Sequence, residues 1–133
     1  MGIEDPIERV FGLLARYREL LKATECEYGC PIGSLALEIH EPDPPVRALL
    51  AANFDRWIDF VQNCFDRARD RIPPKTNTRA LAQFVLTTME GGVMLARTYR
   101  TVDAFDASVA MLKDYLSCLR SAARNSDQTR KPI

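Results

Sequence analysis

The spacing of apolar residues predicts an all-α chain built as a bundle of about five helices. Over residues 6–22, apolar side chains recur at steps of three and four, as on a helix with one buried face. Asp5 before Pro6 predicts the start of this helix, because the Asp side chain accepts hydrogen bonds from free backbone N–H groups and proline suits the first turn. No segment shows the strict alternation that is typical of strands.

Proline and glycine clusters separate the next two predicted helices. A break at residues 28–33 precedes a short helix that ends near His40, and the prolines within residues 42–45 precede the longest helix. Asp43 is placed to cap the start of that helix. Two prolines after Ile72 predict its end.

The fourth and fifth helices, predicted at residues 78–98 and 103–121, carry more apolar surface than one neighbour can cover. The fourth is apolar almost all round and contains Gly91-Gly92, which suits the close approach of another backbone. The fifth has a coiled-coil-like seam with alternating steps of four and three. This width favours a homodimer with a four-helix-bundle interface, two helices from each chain, over a monomer in which both helices are central.

Length and charge limit what the chain can do alone. Its 133 residues suit one domain, at residues 1–121, while the polar and aperiodic residues 122–133 predict a disordered tail. The 18 Lys and Arg residues are balanced by 18 Asp and Glu residues, so no positive field attracts phosphate backbones. DNA binding by this chain alone is therefore not expected.

Two further features of the sequence favour a cytoplasmic protein with no membrane partner. No apolar run reaches the roughly 18 residues of a membrane-spanning helix, and the N-terminal MGIEDP lacks the residue order of a signal peptide. The four cysteines are too sparse for a disulfide-stapled secreted domain, so reduced thiols are expected.

Catalytic residues, a metal site and a cofactor are not predicted. The single histidine, His40, lies beside Glu38 and Glu41, but this spacing does not place the three on one helical face, and a surface histidine is expected instead. Cys26 and Cys30 have neither the zinc-ribbon nor the thioredoxin spacing, which leaves buried structural thiols as the main interpretation and a redox-sensing pair as the alternative. An enzyme is not expected.

Binding of a small molecule is the chemistry that the residues favour. Apolar and aromatic side chains on facing helices are the usual wall of such a pocket, although the same side chains can be plain core. Asn53 is the sharpest candidate, because an amide on an inner face needs a partner. The ligand-binding candidates are Phe11, Leu14, Tyr17, Asn53, Trp57, Val61, Phe84, Thr88 and Met89. They predict an apolar or aromatic ligand with few polar groups.

Two segments carry a resemblance to a known family. They are YGCPIGSLALE at residues 28–38 and MEGGVMLAR at residues 89–97, with NFDRW at residues 53–57 between them. Together they resemble the C-terminal regulatory domain of the TetR/AcrR family of bacterial transcriptional regulators. In that family a GCxxGxLAxE turn and helix precedes a long helix, and an EGxxxLAR segment ends the penultimate helix. The resemblance covers roughly residues 5–119.

This resemblance implies an effector-binding and dimerisation domain of a repressor. A small inducer would control DNA binding by an N-terminal helix-turn-helix that this sequence lacks, either through excision of the domain or through a gene without it. The alternative is a DNA-binding-free dimerisation module that acts through protein interactions. By matched position, the resemblance and the seam of the last helix assign Gly91, Gly92, Leu95, Ala96, Val109, Leu112 and Leu116 to the dimer interface. Cys30, Gly33 and Leu37 match the first motif, and structural roles are expected for them, in a tight turn and a short helix that plugs the core.

Overall fold

Five α-helices build the described part of the chain, which a computed structural model gives for residues 2–38 and 43–129. In chain order they are α1 (Pro6–Ala23), α2 (Pro31–Glu38), α3 (Pro44–Asp66), α4 (Thr78–Tyr99) and α5 (Asp103–Gln128). A single 3₁₀ turn at Arg69–Arg71 follows α3, and no strand occurs in these two ranges. The all-α class and the five helices are confirmed.

Side-chain caps fix the starts of three helices where the sequence placed them. Asp5 Oδ1 accepts hydrogen bonds from the N–H groups of Ile7 and Glu8, at 2.8 and 3.0 Å. Asp43 accepts from the third residue of α3 at 3.0 Å, and Asn77 accepts from the third residue of α4 at 3.0 Å. Each cap satisfies a backbone donor that the helix itself leaves free, so the start is encoded locally.

Helix boundaries differ from the predictions at three places. The short helix α2 begins at Pro31, and its predicted end at His40 lies outside the described residues. The helix α3 ends at Asp66, six residues before Ile72. The helix α5 continues to Gln128 with Ala123 buried, so the prediction of a disordered tail is wrong for residues 122–128. Residues 130–133 of that tail lie outside the described residues.

The core lies around α4, which packs most extensively against α5 and α3. Val61 and Phe65 of α3, Val85 of α4 and Phe105 of α5 are fully buried there, and α1 adds Val10. Burying such side chains contributes roughly 1.5–3 kcal/mol each to folding. One face of α4 is thus covered within the chain.

The two adjacent glycines of α4, Gly91 and Gly92, have different surroundings. A methyl group at Gly92 would lie 2.9 Å from Phe105 Cδ2 and 3.3 Å from Phe105 Cα, so Gly92 allows the start of α5 to approach closely. A methyl group at Gly91 would meet no atom within 4 Å. The close approach that the sequence predicted occurs, but it lies between two helices of the same chain.

Four residues assigned to the dimer interface are covered by their own chain. Gly92 and Ala96 of α4 and Leu112 and Leu116 of α5 are buried in the single chain. They cannot present side chains to a partner, which corrects that part of the assignment. Leu95 and Val109 are half-buried, and Gly91 is open on one side.

Candidate functional site

Two adjoining cavities lie among α2, α3 and α4. The larger has a volume of about 710 Å³ and the smaller, which α1 also borders, about 190 Å³. Four residues line both, namely Cys30, Phe54, Leu86 and Glu90. Because they share these walls, the cavities form one hollow with a wide outer part and a narrow inner part.

The inner part gathers four of the ligand-binding candidates, Tyr17, Asn53, Trp57 and Met89. Trp57 Nε1 donates a hydrogen bond to the Tyr17 hydroxyl at 3.2 Å, which links α3 to α1. Burial raises the pKa of Tyr17, so its hydroxyl keeps its proton. Asn53 Nδ2 donates to the Leu49 carbonyl of its own helix at 2.8 Å, so the predicted amide partner is backbone. The aromatic walls and these polar groups suit a flat, mainly apolar ligand.

Three other candidates lie away from the hollow. Leu14 and Val61 are fully buried core residues, which contact neither of the two cavities. Phe11 borders a separate cleft of about 280 Å³ between α1 and α5, where Lys113 Nζ lies 5.1 Å from the centre of its ring. The structure gives these residues packing roles.

The last two candidates lie on the outer side of α4. Phe84 is 47% exposed, and its ring packs edge-on against Tyr115 of α5 with centroids 5.7 Å apart. Thr88 Oγ1 donates to the Phe84 carbonyl at 2.8 Å, within the helix. Neither side chain lines the hollow.

The first sequence motif forms the cover of the larger cavity, a role that its residues were not assigned. Cys30, Gly33 and Leu37 all line that cavity. Leu37 is 79% exposed, so the expectation that the short helix plugs the core with this residue is wrong.

The two motif segments meet directly across the hollow. Gly33 of α2 has no side chain, and the Glu90 carboxylate of α4 fills the space where a Cβ would lie. A Cβ at Gly29 would lie 3.7 Å from both Val93 and Arg97 of α4. Glycine at position 33 therefore lets α2 lie close on α4, whereas a Cβ at position 29 would make only ordinary van der Waals contact with α4.

Glu90 is the most unusual polar group of the hollow. Its Oε1 is buried and accepts no hydrogen bond from any residue that the structure describes. Burial raises the pKa of Glu90, and the Cys30 thiol beside it offsets part of that rise. Glu90 belongs to the second motif, but the sequence pattern predicted no role for it.

The cysteines do not favour the redox-sensing alternative. Cys26, Cys30, Cys64 and Cys118 are all free thiols. Burial raises the pKa of Cys30, which lowers its thiolate fraction and hence its reactivity. Structural thiols remain the better interpretation of Cys26 and Cys30.

The described residues contain neither a metal-binding cluster nor a membrane-spanning helix. Within residues 2–38 and 43–129, no group of three or more His, Cys, Asp or Glu side chains is placed to hold a metal ion. His40 and Glu41, weighed above beside Glu38, lie outside these ranges. None of the described helices combines the length and apolar character needed to cross a membrane.

A comparison with protein families identifies the family to which the chain belongs. The family model described as the C-terminal domain of LmrA/YxaF-like transcriptional regulators matches residues 6–129, which is nearly the whole chain. The chain belongs to the TetR family. The match includes both motif segments and extends through the last turns of α5, beyond the end predicted for the domain.

Two relatives of this TetR-family domain carry names that agree with the assignment. They are the uncharacterized HTH-type transcriptional regulators MT0206 and Rv0196, from the CDC 1551 / Oshkosh and ATCC 25618 / H37Rv strains of Mycobacterium tuberculosis. Each is 34% identical over 118 residues, which are 85% of this chain and 59% of the relative. The chain thus spans about three fifths of the length of these relatives. No solved structure matches the chain.

Proposed function

We propose that this chain is the effector-binding and dimerisation part of a TetR-family repressor, and that a small molecule binds in the hollow beneath α2. The observation that carries the proposal is the hollow itself, because both family motif segments form its walls. The volumes, about 710 and 190 Å³, are in the range of cavities that hold small ligands. The membership in a family of transcriptional regulators supports a regulatory role for the bound molecule.

The DNA-reading part belongs to a longer regulator in this proposal. The relatives named HTH-type regulators are longer than the matched region, and this chain has no net positive charge. A ligand that favours one arrangement of two such DNA-reading parts would shift the population away from the operator-bound form. The cytoplasm is the compartment in which such a regulator would act.

Dimerisation is assigned to the outer sides of α4 and α5 instead of the seam between them. Small and apolar residues follow each helix there at alternating steps of four and three, which is the spacing of a helix-packing seam. We call this surface the outer stripe; it consists of Ala80, Phe84, Thr87, Gly91, Met94 and Thr98 on α4 and Ala104, Ser108, Met111, Tyr115, Cys118 and Ala122 on α5. Two such stripes would pack as a four-helix bundle about a two-fold axis.

The helix α4 offers a route from the hollow to the dimer. Thr87, Gly91, Met94 and Thr98 of the outer stripe also border the larger cavity. A ligand that displaces α4 therefore moves the surface on which the partner packs. The alternative function, a dimerisation module that acts through protein interactions, uses the same stripe but gives the hollow no role.

Light scattering tests the dimer. We expect a mass near 30 kDa, about twice the 15.0 kDa of one chain, for the wild type, and near 15 kDa for Met111→Arg. Met111 is 66% exposed in the single chain, so the substitution leaves the core intact. Leu20→Arg is the matched control, since Leu20 is 63% exposed on α1 and lies off the stripe. A wild-type monomer would refute the dimer.

Fluorescence of N-phenyl-1-naphthylamine, a neutral apolar dye, tests the hollow. We expect the dye to bind wild type with a rise in emission, and Ala36→Phe, which narrows the larger cavity, to weaken that binding. Ala52→Phe is the control, because Ala52 is exposed on α3 and borders neither cavity. Equal binding by both variants and wild type would place the dye elsewhere and remove the support for an effector site here.

A further inference from the structure

We infer that the molecule bound in the hollow carries a cationic nitrogen with N–H donors, which the carboxylate of Glu90 holds. The inference rests on the proposed function and names the chemical class of the ligand. It starts from an unsatisfied acceptor, because Glu90 Oε1 is buried and meets no donor among the described residues. A buried carboxylate oxygen without a donor costs free energy, so a ligand that supplies one gains what the protein alone leaves unmade.

The carboxylate of Glu90 is enclosed between α4 and α2. Glu90 lines both parts of the hollow, and its carboxylate fits against Gly33, where any larger residue would displace it. A surface glutamate would turn its charge to solvent, whereas α2 covers this one. The burial that raises the pKa of Glu90 is the electrostatic counterpart of the same geometry.

The surroundings of Glu90 suit a flat apolar body with one charged end. Tyr17, Phe54 and Trp57 supply aromatic walls, and aromatic faces attract cations in addition to packing against rings. Leu86 and Met89 supply the rest of the apolar surface. An arylalkyl ammonium or an aryl amidinium has this combination of a flat body and N–H donors.

Two arginines in the larger cavity raise the opposite possibility, an anionic ligand. Arg97 and Arg100 border that cavity but are exposed, and Arg100 donates to the Cys26 carbonyl at 3.3 Å. Solvent screens exposed charges, while a buried charge acts at short range with little screening. Glu90 therefore sets the charge preference of the inner part.

Displacement of bound N-phenyl-1-naphthylamine by three probes of one shape tests the inference. The probes are 4-phenylbenzylamine, which is an ammonium at pH 7, the neutral 4-biphenylmethanol, and the anionic 4-biphenylcarboxylate. We expect the ammonium to displace the dye from wild type at a concentration about tenfold or more below the alcohol, as for one charge-assisted hydrogen bond, and the carboxylate to be the weakest.

Variants assign the preference to Glu90. In Glu90→Gln we expect the ammonium and the alcohol to become equal within about twofold, because the amide keeps the shape and loses the charge. Gly33→Ala is the second variant, since its methyl group displaces the carboxylate while leaving it charged, and the same loss of preference is expected. Glu19→Gln, which removes an exposed charge on α1, should keep the wild-type ratio.

The outcomes separate the inference from the function on which it rests. An alcohol or carboxylate that equals or exceeds the ammonium on wild type would overturn the cationic ligand while the dye still shows a binding hollow. A preference for ammonium that survives in both folded variants would overturn the role of Glu90. Absence of dye binding to wild type would overturn the effector site and the inference together.

Discussion

Two contacts of α4 use the same device, a glycine that admits a large side chain from a neighbouring helix. On one side Gly92 of α4 admits Phe105 of α5, and on the other Gly33 of α2 admits Glu90 of α4. The first contact is apolar and fully buried. The second buries a carboxylate oxygen without a donor at the wall of a hollow.

The difference between these contacts separates stability from function. Packing a phenyl ring against a glycine stabilises the fold, because apolar surface is removed from water and no polar group is left unsatisfied. Packing a carboxylate against a glycine costs stability and leaves an acceptor that a ligand can use. The α4–α5 contact is thus part of the stabilising core, whereas the proposed function makes the α2–α4 contact a wall of the ligand site.

Removal of the Phe105 ring from the α4–α5 contact should strongly destabilise the fold. We expect Phe105→Ala to lower the free energy of unfolding by about 3–5 kcal/mol, through lost transfer energy and a cavity at the core. Urea unfolding at one fixed protein concentration measures the loss. Tyr99→Ala, at an exposed position, should change it by less than about 0.5 kcal/mol. Similar losses in both variants would show that Phe105 is not a core residue.

Alanine substitutions at the two neighbouring glycines of α4 should change the free energy of unfolding in opposite directions. We expect Gly92→Ala to destabilise the fold by about 1–3 kcal/mol, because the methyl group collides with Phe105. In the Met111→Arg background, in which the outer stripe has no partner, Gly91→Ala meets open space and should stabilise the helix by about 0.5–1 kcal/mol. Unfolding curves of both variants, measured together, check the signs, and a stabilised Gly92→Ala would contradict the close contact.

In the α2–α4 contact, removal of the Glu90 charge should stabilise the protein at neutral pH. The folded chain holds the Glu90 proton more tightly than the unfolded chain, so the stability from protonation is lost as the pH rises through the raised pKa. The facing groups Cys30 and Tyr17 stay neutral in this range. Because Glu90 is only half-buried, we expect the free energy of unfolding of Glu90→Gln to exceed that of wild type by up to about 1 kcal/mol at pH 7 and to approach it at pH 4. A gain that is equal at both pH values would contradict a buried charge.

A partnered carboxylate gives the reverse pH dependence. The hydrogen bond from Arg71 is the main cause that lowers the pKa of Asp5 to about 2. The ionised Asp5 therefore stabilises the folded chain above the usual pKa of Asp, and this stabilisation is lost as the pH falls toward 2. Asp5→Asn keeps the helix cap, so we expect a loss of only about 0.5 kcal/mol at pH 7 that vanishes near pH 2. Unfolding over a pH series tests this, and a loss that persists at pH 2 would contradict it.

The helix starts could be predicted from sequence because their causes are local. Asp5, Asp43 and Asn77 each satisfy backbone donors two or three residues away. The end of α5 was missed, since residues 122–128 are mostly polar and aperiodic, although the structure buries Ala123. The covered face of α4 could not be read either, because a helix that is apolar almost all round has no side that the pattern marks as inner.

The candidate site was predicted only in part, because residue type and periodicity do not show which side chains border a cavity. Tyr17, Asn53 and Trp57, which line the inner part of the hollow, were selected because aromatic and amide groups on inner faces need partners. Met89 was selected as an apolar residue of the fourth helix. Leu14 and Val61 share that spacing but are buried away from the hollow, because periodicity does not show which buried residues border a cavity. Glu90 was passed over because its meaning depends on Gly33, 57 residues earlier in the chain. Only the fold brings these two residues together.

Titration of the Glu90 side-chain carboxyl by ¹³C NMR, in the free chain and with 4-phenylbenzylamine bound, tests whether Glu90 is a buried carboxylate that holds a cation. We expect a pKa above the usual value of a glutamate in the free chain and a fall of that pKa when the ammonium binds. A pKa at or below the usual value in the free chain, or one that the bound ammonium leaves unchanged, would contradict it.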